Sequence, residues 1–422
     1  MPAVFSPVLP PEVWHHIFTD ATAPPATAGT EDYKKRLRFQ CPHFRLRYSL
    51  VLVCKLWRVL ALQFLYECVW ITHARAALYF QRVLVKSMLQ RPLGYGNWVR
   101  HLILPTASVN TSKEGVRFVD IIRFCPQLET LTKAHYFGDD DDYFWRGLAC
   151  TVPYEPGRYL SFGSFASLRY LHWCYSGSRD TNYEDLEAWR LSEIVLHAPN
   201  LSFLSIQHFR RPLLGFYPHT HPNTVLCPSL TTLEFRSAFT NTVPFVVRSQ
   251  DMQNLVHVIA LPEALFGFDP ATAHLSIIAL FGHQLQVIEF MDGGSTNPVT
   301  AENIQTIFQH CPKLRKFKYN LECTALRPEF PILHPSLSHI TLRTAFDERS
   351  DAIVAWRCLR LHFAAFIGKS FPALRCVVLE GDWSWATQDF RFSSWHRSLL
   401  ARGCLLEHSD GTAVPLRNYC KA

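Results

Sequence analysis

Two places in this 422-residue chain gather side chains that could do chemistry. Gly368-Lys369-Ser370 has the ending of a phosphate-binding loop, in which backbone N–H groups and a lysine cradle phosphates. That loop needs a glycine five positions before its second one, and Phe363 stands there. His219, His221 and Cys227 bear zinc-binding groups, but no fourth ligand follows at finger-like spacing and prolines surround them. The twenty histidines are scattered, and no Gly-x-Ser-x-Gly elbow selects a nucleophile among many serines. The expectation is a non-catalytic protein with no cofactor and no bound metal.

The formal charge of +7 is mostly dispersed. The compact basic run Lys34, Lys35, Arg36 and Arg38 and the acidic run Asp139 to Asp142 both read as solvated loops, so nucleic acid is not an expected partner. Thirteen cysteines without a Cys-x-x-Cys pair, in a chain with no cleavable leader, point to free thiols in the cytosol or nucleus. The longest apolar stretch, Leu50 to Leu65, is short for a bilayer and is interrupted by Lys55 and Arg58, so no membrane is expected. Hydrophobic residues make up 48% of the chain, ample for an ordered core, and its length suggests several domains or an elongated array.

Two early segments must be helices. In LPPEVWHHIF, Leu9 to Phe18, Pro10 and Pro11 suit a first turn and Glu12 lies near the positive end of the helix. Val13 with Ile17 and Trp14 with Phe18 are (i, i+4) pairs. From Ser49 runs SLVLVCKLWRVLALQFLYECVWI, with one apolar stripe of Leu50, Val53, Cys54, Trp57, Leu60, Ala61 and Phe64 and an opposing stripe of Leu52, Leu56 and Val59. A helix apolar on both sides must be covered on both sides. The second cover is an internal core, the following domain or another protein.

Leu9-Pro10-Pro11-Glu12, Ile17-Phe18 and Val53-Cys54-Lys55-x-Trp57-Arg58 with Leu60-Ala61 together resemble the F-box family over about 60 of the 422 residues. The resemblance implies a three-helix module that docks on a Skp-type adaptor and, through it, a cullin. Leu9, Pro10, Ile17, Leu50, Val53, Cys54 and Trp57 would be its adaptor-facing or module-core residues. Between Phe18 and Leu50 stand 31 residues, about twice the family's usual spacing, which reads as a loop inserted over about 20–45.

Past residue 90 a triplet recurs: apolar, two positions, apolar, one position, apolar. Val99-Leu102-Leu104, Leu168-Leu171-Trp173, Leu201-Leu204-Ile206, Leu230-Leu233-Phe235, Leu255-Val258-Ala260, Leu285-Ile288-Phe290, Leu314-Phe317-Tyr319, Leu337-Ile340-Leu342 and Leu374-Val377-Leu379 fit it, and Leu128-Leu131 fits in part. The mean interval is about 31 residues. A proline stands two residues before the first apolar position at Pro126, Pro199, Pro228, Pro312, Pro335 and Pro372, where it ends the preceding helix. Helical segments such as GVRFVDIIRF, EDLEAWRLSEIVLH, AENIQTIFQH and DAIVAWRCLRLHFAAFIGKS lie upstream, two with capping boxes at Thr111-x-x-Glu114 and Thr181-x-x-Glu184. The unit of helix, proline stop and short strand resembles irregular leucine-rich repeats that lack the family's usual asparagine. An unrelated α/β domain is the alternative.

The expected fold is thus α/β: an F-box module over 1–72, a helical linker over 73–96, a repeat solenoid over 97–400 with a parallel sheet on its concave face, and a tail over 401–422. The arrangement looks like the F-box sets of mushroom-forming fungi, and implies a substrate receptor of a cullin-RING ubiquitin ligase that holds a client protein. A non-ligase scaffold is the other reading. Alternation along each strand offers His172, Phe203, Glu234, Glu289, Lys316, Lys318 and Thr341 as candidate client contacts. Trp383, Trp385 and Trp395 are expected to cap the last repeat or anchor a partner.

Overall fold

The computed structural model describes residues 9–22, 45–71, 74–90, 94–105, 118–134, 165–174, 191, 194–207, 227–236, 252–260, 265, 277–291, 301–321, 333–344 and 352–416. The runs Lys34 to Arg38 and Asp139 to Asp142, His219, His221, both capping boxes and most of the inserted loop lie outside them. Two compact units are present, Met1–His172 and Trp173–Ala422. The twelve strands follow chain order in their sheet, and each described pairing is parallel.

The first unit begins with α1 (Pro11–Thr22), α2 (45–53) and α3 (Lys55–Glu67). The apolar pattern alone reads α2 and α3 as one helix; the backbone breaks at Cys54, whose extended conformation (φ −158°, ψ 171°) lets its sulfur accept the Trp57 N–H at 3.4 Å and start a new helix. Then come β1 (Cys68–Trp70), α4 (Ala74–Gln90), β2 (His101–Pro105), α5 (Phe118–Arg123), β3 (Thr130–Ala134) and the first part of β4 (Tyr170–Cys174).

In the second unit stand β5 (Phe203–Gln207), β6 (Thr232–Arg236), β7 (His257–Ala260), β8 (Val287–Phe290), β9 (Lys316–Asn320), β10 (His339–Arg343), β11 (Cys376–Glu380) and β12 (Leu405–His408). Its helices include α6 (Ile277–Phe281), α7 (Ala301–His310), α8 (Ala352–Ile367) and, after a turn at Ser384–Thr387, α9 (Phe390–Ala401). The last strand falls in the segment that the sequence leaves as a tail. Its free side is met by a turn that folds back, with the Val414 N–H on the Leu406 carbonyl at 2.9 Å.

Every apolar position of the recurring triplet is buried, from Val99 to Leu379. The prolines do more than stop helices. In Cys125-Pro126-Gln127-Leu128 the leucine N–H bonds back to the cysteine carbonyl, and the same bond of 3.0–3.2 Å recurs at Val99, Leu168, Leu201, Leu230, Leu255, Leu285, Leu314 and Leu374. Proline thus occupies the second position of a tight turn, where its fixed φ is already correct. The first turn residue forms a fourth buried layer: Cys125, Phe165, Ala198, Cys227, Met252, Cys311 and Phe371. Burial raises the Cys125 and Cys311 thiols to about 12, so they pack as neutral apolar groups. None of the nine described cysteines is placed in a disulfide.

Glycine takes that layer where the next helix end comes too close for a side chain. A Cβ on Gly96 would stand 1.8 Å from the Phe124 carbonyl oxygen, and one on Gly282 would stand 2.7 Å from that of His310. Gly96→Ala should therefore cost about 3 kcal/mol and Gly282→Ala about 1 kcal/mol in urea unfolding of the whole chain. An equal and small cost for both would show that the close approach at Gly96 is absent.

Candidate docking surfaces

At the N-terminus the two (i, i+4) pairs of α1 divide. Phe18 is buried and Trp14 packs on it, with ring centroids 5.8 Å apart, while Val13 and Ile17 face outward at 39% and 42% exposure. Trp57 closes the core from α3, 4.8 Å from Trp14 and 5.0 Å from Phe18. Leu50, Val51, Ala61 and Phe64 complete it. The buried Arg47 of α2 reaches the Thr22 carbonyl at 3.1 Å and Glu67 at 3.3 Å, tying the ends of α1 and α3 together.

Of the seven residues singled out by the F-box resemblance, Leu50 and Trp57 are core members. Leu9, Pro10, Ile17, Val53 and Cys54 are exposed. Leu52, Leu56 and Val59 are exposed as well, at 64%, 44% and 70%. They are the second stripe of the sequence, and its excess of apolar residues was the signal for them. Val53, just before the break at Cys54, is exposed at 59%. Scattered exposed apolar residues need no explanation, but with Leu46 and Tyr48 of α2 there are eight large ones on three short helices and Leu9 just before them, a concentration of the kind found at interaction sites.

In the second unit, the sheet face away from the triplets is graded. Phe203 on β5 and Glu234 on β6 are buried there, so neither is open to a client. In the first unit His172 on β4 is half-buried. From β7 onward charges take over, in a row that crosses the strands. His257 Nε2 lies 3.0 Å from Glu289, Lys318 Nζ lies 3.8 Å from Glu289 and 2.8 Å from Glu380, and Arg343 donates to Glu380 at 2.7 and 2.9 Å. Lys318 and Glu289 are thus neutralised by neighbours, Thr341 is half-buried beside Lys318, and Lys316 is exposed.

Burial opposes the charge on both partners of the central pair. For Lys318 it prevails and the ammonium titrates below the usual lysine range. For Glu380 burial is outweighed by hydrogen bonds and charge from Lys318 and Arg343, which hold the carboxyl below the usual glutamate range.

The Gly368-Lys369-Ser370 stretch resolves into packing. Gly368 follows the carboxyl end of α8, where carbonyls and not N–H groups are presented, and Arg402 donates to the carbonyls of Phe366, Gly368 and Phe371. Among the described residues no group of three His, Cys, Asp or Glu could hold a metal ion, and no helix is long and apolar enough to cross a membrane. Trp383 is buried, with its indole N–H on the Glu380 carbonyl at 3.0 Å. Trp385 and Trp395 flank Trp356 of α8 at 5.7 and 5.8 Å, so the three tryptophans cover β11 and α8 ahead of the last strand.

No known family matches the chain, and no curated protein matches it. A solved structure of a Bacteroides fragilis protein superposes with a TM-score of 0.33 at 14% identity, covering 81% of this chain and 85% of that one. A likeness that loose carries no argument.

Glu380→Gln removes the nearest counter-charge of Lys318 and Arg343, both partly buried, and should cost about 1–3 kcal/mol at pH 7. Because the folded carboxyl titrates low, this stabilisation is present above the ordinary glutamate range and is lost as pH falls through the lower folded value. Denaturant unfolding of wild type and variant should therefore converge on acidification; a gap that widens would contradict the pairing.

Proposed function

We propose that the chain is a substrate-recognition subunit of a cullin-RING ubiquitin ligase, acting in the cytosol or nucleus. Its N-terminal helices, read as an F-box module, bind a Skp-type adaptor. Its remaining strands and helices, read as irregular leucine-rich repeats, hold a client protein. The observation that carries this reading is the outward apolar set Leu9, Val13, Ile17, Leu52, Val53, Leu56 and Val59, 39–70% exposed on helices whose core is already complete.

Such a subunit needs no catalytic group. It accelerates transfer by holding client lysines near a ubiquitin-loaded enzyme, which raises their effective concentration. The division of labour within the helices is what docking requires. Trp14, Phe18, Trp57 and Phe64 fix the helix directions, and the outward residues are left free to be buried by a partner at about 25 cal/mol per Å² of apolar area.

Co-purification of the full chain with a Skp-type adaptor tests the reading. Wild type should co-elute. Val53→Asp with Val59→Asp should weaken binding at least about tenfold while shifting unfolding by less than about 1 kcal/mol, since both side chains are exposed. Trp57→Ala should lose binding together with module stability, because it removes a core ring. Failure of the wild-type chain to co-elute would overturn the proposal.

A further inference from the structure

On the sheet face away from the triplets in the second unit, and at its N-terminal edge, the carboxylates and the cations are unequally matched. Glu289 is engaged by His257 and Lys318, Glu380 by Lys318 and Arg343, and Glu407 accepts from the Cys376 thiol at 3.5 Å. At the N-terminal ends of β9 to β11 the cations are left over. Lys313 and Arg315 lie in the turn before β9, Lys316 opens that strand, and Arg375 immediately precedes β11; all four are exposed. Among the described residues none of the four has an acidic partner within an ion pair.

His339 stands between them. It opens β10 in register with Lys316 on one side and Cys376 on the other, and its Nδ1 lies 2.8 Å from the Ser338 hydroxyl. Its pKa is lowered by burial first, then by Lys316, and further by Arg375, with Glu407 of β12 acting in the opposite sense. Lys316 and Arg375 thus add to the penalty that burial sets on one more proton. Arg375 stands one residue before Cys376, which continues the register of Lys316 and His339, so its backbone lies two strand spacings from Lys316, roughly 10 Å. An extended peptide carries same-side side chains about 7 Å apart. Flexible Lys and Arg heads close the difference. All these strands are paired on both sides within the sheet, so recognition would run through side chains and not through backbone pairing.

We propose that this corner binds an extended acidic peptide segment, with Lys316 and Arg375 each holding a carboxylate or phosphate and Lys313 and Arg315 drawing it in. The term client for that segment rests on the receptor reading above; the binding itself does not, and is measured without an adaptor.

The test is fluorescence anisotropy of the full chain with three labelled short peptides: alternating Glu and Ala, its phosphoserine counterpart, and a Gln and Ala counterpart. A labelled single-stranded oligothymidine forms a fourth arm. Expected are binding of both anionic peptides at least about tenfold tighter than the Gln peptide, weakening with salt, and loss of that margin in Lys316→Glu with Arg375→Glu. Arg360→Glu with Arg357→Glu on the exposed side of α8 makes the same change of net charge away from this face and should leave the margin unchanged. Equal loss in both double variants, equal affinity for the Gln peptide, or a preference for the oligonucleotide over both acidic peptides would overturn the proposal. The stronger of the two anionic peptides tells phosphate from carboxylate as the ligand group.

Discussion

One carbonyl per repeat sets the register on which the structure depends. In the second unit the Ser202 oxygen accepts the N–H groups of Thr231 and Thr232, and the same double bond recurs from Thr231 to Val256 and His257, from Val256 to Gln286 and Val287, from Gln286 to Arg315 and Lys316, from Arg315 to Ser338 and His339, and from Ser338 to Arg375 and Cys376. A carbonyl has two lone pairs, and both are used. The residue just before each of these carbonyls is the buried first position of the triplet, so hydrogen bonding and burial fix the same register. What lies between the strands is then free to vary. Leu314 and Leu337 are 23 residues apart by numbering, whereas Leu337 and Leu374 are 37, yet β9, β10 and β11 stay in step.

That register also decides which charges meet. Glu289 and Lys318 are cross-strand partners, as are Arg343 and Glu380, so opposite charges face each other from the middle of the strands to their C-terminal ends. One step toward the N-terminal ends the partners of Lys316 are Val287 and His339, neither of which can neutralise it. The face thus carries self-satisfied charge pairs, beside an N-terminal edge where Lys316 and Arg375, the residue just before the register position of Cys376, are left cationic. Half-buried ion pairs contribute modestly to stability, but leaving one member alone is costly, so the satisfied pairs are expected to be structural and the edge cations available.

The triplets were legible because the same three positions are buried in each unit: Ile288 and Phe290 alternate along β8, and Leu285 is buried at the end of the turn before it. The proline position was legible, while its turn role was not, since a helix stop and a tight turn ask for the same residue. Helices α7 and α8 followed from AENIQTIFQH and DAIVAWRCLRLHFAAFIGKS. The break at Cys54 was hidden because apolar residues continue across it, and cysteine is an uncommon cap. The last strand was hidden too: counting back from Leu405, the partner of Cys376, puts Gly403 where other repeats have leucine, and His408 pairs with Leu379. On the outer face, alternation marks the side to which Phe203 and Glu234 point but cannot say that they are covered there, because covering depends on residues distant in sequence.

The N-terminal helices obey a different constraint. Their core is closed by aromatic contacts of 4.8–6.2 Å among Trp14, Phe18, Trp57 and Phe64, and the apolar residues left over have no place in it. Hydrogen–deuterium exchange on the full chain, with and without a Skp-type adaptor, tests most directly whether those residues are a docking face. The expected result is new protection confined to residues 9–17 and 52–59, with the sheet of the second unit unchanged. Adaptor-dependent protection in β8 to β11, or none in the N-terminal helices under saturating adaptor, would contradict it.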